Sequence, residues 1–242
     1  MTDMYAPGPP EGEAPGRVFE SLKATCVEDW RAYVAHDFVR GLADGSLPEA
    51  CFRHYLAQDY RFLVHFSRAY ALAVFKSDDP VEMRQAATTL KALLDEEMAL
   101  HVDHCRRWGL DEAALLATPE APANVAYTRY VLETGLAGDL LDLLVALAPC
   151  VVGYGEIGAG LLAAAGPEAL ADNPYREWIE TYGGAEYQEV ARDALAQLDR
   201  VAARRLGSDL TAAPRWPGLS QTFRTATRLE IGFWDMGLMP PD

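Results

Sequence analysis

Positive charge is scarce in this sequence. Lysine and arginine number 21 against 36 aspartates and glutamates, leaving a net charge of -15. A protein that grips nucleic-acid phosphates needs a basic surface, so no nucleic-acid partner is expected. The N-terminus has no basic stretch followed by an apolar one. Residues 1–16, MTDMYAPGPPEGEAPG, are acidic and rich in proline and glycine, the composition of a disordered tail and not of a signal peptide. Long uncharged runs are also missing. The longest, from Leu143 to Gly155, is closed by Asp142 and Glu156. It is too short to span a bilayer, which predicts no membrane partner. The cysteines at 26, 51, 105 and 150 form no C-x-x-C pair. Without a secretory signal they read as reduced thiols in the cytoplasm. Finally, no histidine follows His104. A di-iron bundle site draws carboxylate and histidine ligands from two helix pairs, and the second half of this chain could supply only carboxylates, so no metal is expected.

What is present is apolar and periodic. With 242 residues, 50% of them hydrophobic, the chain suits one domain over 17–242. Apolar residues recur at three and four. They predict long helices over about 49–75, from Pro80 to about Trp108, over 139–165, 185–206 and 220–236. Shorter ones are expected before Gly41, over 124–133 and around Trp178. Ser46 is a candidate cap for the first long helix. No strand pattern emerges, and eight to ten helices make an all-α bundle.

The most apolar stretch, Leu143 to Gly158, also carries a thiol, a phenol and a carboxylate: Cys150, Tyr154 and Glu156. Its Gly153-Tyr-Gly155-Glu-Ile-Gly158 spells the G-x-G-x-x-G of dinucleotide sites. That motif must leave a strand to work, and none precedes it, so the glycines read as close-packing positions or room for a ligand. Two acids sit among rings at helical spacing: Asp59 before Phe62, and Glu230 before Phe233 and Trp234. Taken singly, each is a buried acid paired with arginine or a backbone N–H, Cys150 is a small hydrophobe, and Tyr127, Tyr154 and Tyr182 are core tyrosines. Taken together, they could line an aromatic pocket for a flat, nitrogen-rich ring, with a thiol to attack it and acids to move protons. Glu96, Glu97, His101 and His104 read as a polar helix face with internal hydrogen bonds.

These residues lie in segments that resemble the TenA/thiaminase II family: Gln58-Asp59 in YLAQDYRFL, Ala126-Tyr-Thr-Arg-Tyr130, Pro149-Cys150 with Tyr154 and Glu156-Ile-Gly158, Trp178-Ile-Glu-Thr-Tyr182-Gly-Gly184, and Glu230-Ile-Gly-Phe-Trp-Asp-Met236. The similarity runs from about 17 to 239. It implies a haem-oxygenase-like multi-helix bundle. The implied activity is hydrolysis of 4-amino-5-aminomethyl-2-methylpyrimidine to its hydroxymethyl form with ammonia release, in thiamin salvage; some members also cleave thiamin. By the same resemblance Cys150 is the nucleophile, Asp59 orients the substrate and Glu230 is the acid/base. Phe62, Tyr127, Tyr154, Tyr182 and Phe233 form the pocket wall. No metal or organic cofactor is implied, and a homotetramer is. Phe62 departs from the family's common tyrosine. Two other readings stay open at this point: a non-catalytic pyrimidine-binding or regulatory protein on the same fold, and a haem or di-iron protein, for which His36 is the histidine to test.

Overall fold

The computed structural model describes residues 15–241; most of the expected N-terminal tail lies outside them. Thirteen α-helices follow in order: α1 Arg17–Lys23, α2 Val27–Val34, α3 Asp37–Asp44, α4 Glu49–Lys76, α5 Pro80–Ala92, α6 Met98–Cys105, α7 Glu112–Ala117, α8 Pro122–Ala137, α9 Leu140–Ala164, α10 Pro167–Ala171, α11 Arg176–Gly183, α12 Ala185–Leu206 and α13 Trp216–Gly237. A π-helical turn, Leu93–Glu97, joins α5 to α6, so these form one long rod with an irregular middle. No strand occurs among the described residues.

The all-α expectation holds, and the differences have local causes. The N-terminal segment makes three short helices, broken at Cys26 and His36. His36 caps α3, its ring nitrogen accepting from the Phe38 N–H at 3.2 Å, and its other nitrogen lies 3.2 Å from Asp235. Both ring nitrogens are thus engaged in local structure, as a capping residue's are. Ser46 does not cap α4; Pro48 occupies that position, and its fixed φ suits a helix start.

At the centre lies α9, packed against α8, α11, α12 and α13. A capping box starts it. The Asp139 carboxylate accepts from the N–H groups of Leu141 and Asp142, while Asp142 accepts from the Asp139 N–H at 2.8 Å. Arg215 clamps both carboxylates at 2.8–3.0 Å. Inside the helix, Pro149 removes one backbone donor. Two glycines admit neighbours: a Cβ at Gly153 would overlap the Tyr33 ring, and one at Gly158 would overlap the Tyr182–Gly183 backbone. That is the close packing expected of the glycine motif. The expectation about length needs correction, because α9 runs 25 residues and is long and apolar enough to cross a membrane. Here 83% of its apolar window is buried by the surrounding helices. Glu156 is also not in a dry setting. It is exposed, bound to Lys23 at 2.8 Å and to the Trp30 indole N–H at 3.1 Å.

Candidate active site

Five helices bring the predicted residues together. From α4 come Asp59 and Phe62, from α8 Tyr127, from α9 Cys150 and Tyr154, and from α13 Glu230 and Phe233. Tyr182 joins them from α11. All are buried except Cys150, which protein surrounds but which keeps some accessible surface, as a group facing an internal space does.

One side of the site is a thiol–carboxyl–phenol chain. Glu230 accepts from the Tyr127 hydroxyl at 2.8 Å, and the Cys150 thiol neighbours the same carboxyl closely enough for each to perturb the other's titration. Burial is the main cause that pushes the Glu230 carboxyl up to about 8, against the lowering effect of the Tyr127 bond. Burial, reinforced by the charges of Glu230, Asp59 and Glu97, drives the thiol pKa well above its ordinary value. At neutral pH both groups therefore rest mainly protonated.

The other side is organised by Asp59. Its partner is neither arginine nor a backbone N–H but His101, whose Nε2 lies 2.7 Å from Asp59 Oδ2. His101 Nδ1 lies 2.9 Å from the Glu97 carbonyl, an acceptor, so that nitrogen carries hydrogen. Burial alone would depress the imidazole, but the bond to Asp59 and the charges of Asp59 and Glu97 outweigh it and hold it at about 9. His101 is thus an imidazolium paired with Asp59. The Tyr55 hydroxyl donates to the same Oδ2 at 3.3 Å and lies 3.4 Å from the Tyr154 hydroxyl; the Trp178 indole donates to Tyr55 at 3.3 Å. Since Oδ2 takes both bonds, Oδ1 is left for a ligand.

Rings close the space between the two sides. Phe62 packs 5.1 Å from Tyr127 and 5.5 Å from Phe233, centroid to centroid, and Tyr154 lies 5.0 Å from Tyr182. Tyr60 points elsewhere, donating to Glu112 at 3.0 Å, so it does not replace the hydroxyl that Phe62 lacks. A cleft of about 60 Å³, lined by Leu56, Glu97, His101, Trp178 and Tyr182 among others, opens beside this cluster. Among the described residues no three His, Cys, Asp or Glu side chains converge as a metal site.

Reading the sequence missed Tyr55, Glu97, His101 and Trp178. Glu97 and His101 were visible as a pair four residues apart, but nothing in the sequence says that their face turns inward toward Asp59.

This is an all-helical protein with a buried thiol–carboxyl pair facing an aspartate across aromatic walls. The chain belongs to the TENA/THI-4/PQQC family, whose sequence profile matches residues 24–239. It is 53% identical to a solved structure described as a TenA family transcription regulator from Silicibacter sp. TM1040, with a TM-score of 0.89 over 94% of this chain and 99% of that one. An aminopyrimidine aminohydrolase of Halalkalibacterium halodurans is 38% identical over 208 residues, 86% of this chain and 89% of that protein. A Shewanella denitrificans domain with a haem-oxygenase-like fold superposes with a TM-score of 0.67 at 15% identity, covering 90% of each chain. The haem-oxygenase-like architecture is therefore this chain's fold.

Proposed function

We propose that this protein hydrolyses an aminopyrimidine of thiamin salvage, replacing an exocyclic amine by hydroxyl, with Cys150 as nucleophile. The placement of Cys150 beside Glu230, each perturbing the other's titration, carries this reading. A regulator that only binds has no need of a thiol beside a proton acceptor. The name of the Halalkalibacterium relative supports the same substrate class.

The ring would lie between Phe62, Phe233 and Tyr154, with its amino group and a ring nitrogen on Asp59. His101 and Tyr55 hold Asp59 in place. Ionised Glu230 takes the thiol proton as sulfur bonds to an electron-poor ring carbon. The bond from the exocyclic methylene to nitrogen then breaks, and protonated Glu230 returns the proton to the departing amine. Water adds to the methylene and loses a proton to Glu230. The carbon–sulfur bond breaks, and the proton returns to the thiolate. The net change is amine plus water to alcohol plus ammonia. A cytoplasmic homotetramer belongs to the same proposal; large apolar side chains left exposed, such as Phe75 and Leu136, support the assembly.

The test is ammonia release from 4-amino-5-aminomethyl-2-methylpyrimidine by wild type and Cys150→Ser. Release from wild type and none from the variant is expected. Equal release from both removes Cys150 from the mechanism. Tight binding without release from wild type makes the protein a binder.

A further inference from the structure

Glu97 is a third carboxylate at this site, and the steps above do not use it. Its position depends on the π-helical turn Leu93–Glu97. In that turn one extra residue is accommodated without ending the helix, and such bulges concentrate at functional sites. Asp95 and Glu96 in the same turn are exposed to solvent, while Glu97 is turned inward. It lines the cleft with His101, Trp178 and Tyr182. It keeps some accessible surface because it faces that cleft, although protein encloses it.

No cation compensates it fully. Its Oε1 has one protein partner, the Tyr182 hydroxyl, at a long 3.5 Å. The nearby His101 imidazolium is engaged by Asp59. Among the described residues no lysine or arginine forms an ion pair with Glu97. Two further hydroxyls, those of Tyr70 and Tyr187, feel the charges of both Glu97 and Cys150 and form no hydrogen bond to the described residues. Leaving a carboxylate unpaired in an enclosed site is costly, so a cation that arrives with the ligand would be favoured there. Asp59 and the rings suffice to hold a pyrimidine. Glu97 lines the cleft that opens beside them, with a carboxylate they leave unpaired.

We propose that Glu97 determines leaving-group specificity by binding the ammonium carried on the carbon at which the substrate is cleaved, so that the site prefers pyrimidines bearing a primary alkylamine to those bearing a neutral group. This rests on the aminopyrimidine reading and deepens it. The substrate enters as the ammonium and passes its extra proton to the Glu97 carboxylate as the reaction begins; Glu230 then protonates the departing nitrogen, which leaves as ammonia, and Glu97 gives its proton up to solvent as the product leaves.

The test uses binding, so it does not depend on turnover. In Cys150→Ser, calorimetry at neutral pH gives the Kd of the 5-aminomethyl pyrimidine and of its neutral 5-hydroxymethyl counterpart. The aminomethyl form should bind about tenfold tighter or better, the worth of one hydrogen bond to a charged group. Adding Glu97→Gln should abolish that preference while leaving the hydroxymethyl Kd within about twofold, and Glu97→Asp should keep part of it. Equal affinities in Cys150→Ser, or an equal loss for both ligands in Glu97→Gln, would overturn the assignment. Should Glu97→Gln not fold, Cys150→Ser and Glu97→Asp still decide it. Intact preference in a wild type that releases no ammonia would overturn the hydrolase reading and leave Glu97's role standing. Failure of both ligands to bind would overturn both.

Discussion

At the scale of single residues, the site depends on where protons rest. Glu230, held at about 8, is mostly protonated at neutral pH and must be ionised to accept the thiol proton. A carboxyl gains its base form as pH rises, so kcat/KM should climb through about pH 8, and Glu230→Gln should remove that limb with a loss of roughly a hundredfold or more. Steady-state rates from pH 6 to 9.5 check this; an unchanged limb in the variant would assign it to another group. Asp59, Cys150 and Glu230 were legible in the sequence because an acid or thiol on an apolar stripe is conspicuous. His101 was not. It sits on a helix face with Glu97 and His104, a pattern equally compatible with solvent, and only the packing of α6 on α4 turns it toward Asp59.

At the scale of elements, two features set the geometry: the glycines of α9 and the bulge between α5 and α6. Gly158 lies against the Tyr182–Gly183 backbone, which cannot step aside as a flexible side chain could. Gly160, two residues on, has nothing within 4 Å of where its Cβ would be. Gly158→Ala should therefore cost about 1–3 kcal/mol through overpacking and displace Tyr182. Gly160→Ala should gain up to about 1 kcal/mol from helix propensity. Chemical denaturation of both variants checks the contrast, and equal effects would contradict it. Helix existence and the ends of α12 were readable from apolar periodicity and Gly207. The breaks at Cys26 and His36 were not, since they fall inside a continuous apolar pattern. The bulge carries no Gly or Pro signal, so the sequence reads as one regular helix from Pro80 to Trp108.

At the scale of the molecule, the buried titratable groups act together. Glu97 is raised to about 7 and Glu230 to about 8, chiefly by burial, and His101 to about 9 by Asp59 against the opposing effect of burial. Each makes the folded state hold protons that the unfolded chain would release. The contribution of His101 is fully present below its unfolded value near 6.5 and is lost as pH rises through about 9. For the two glutamates, the folded state loses ground from their unfolded value near 4.5 up to about 7 and 8. Above neutrality the slopes of Glu230 up to about 8 and of His101 up to about 9 have the same sign, so Tm should fall from neutrality to pH 9. Scanning calorimetry at constant ionic strength checks this, and Glu97→Gln should flatten the curve below neutrality. A Tm that rises with pH would contradict the assigned protonation states. The all-helical architecture was legible from composition and period; the meeting of α4, α8, α9, α11 and α13 around one space was not, because it depends on contacts far apart in sequence. That space has a kinetic corollary. The cleft offers about 60 Å³ to the centres of water-sized molecules, room for roughly four to six waters at about 10–15 Å³ each. A substituted ring must pass Leu100 and Thr181, which line the cleft. Association then requires the ring to meet the cleft in the right orientation, and the on-rate falls below the diffusional limit however strong the final grip.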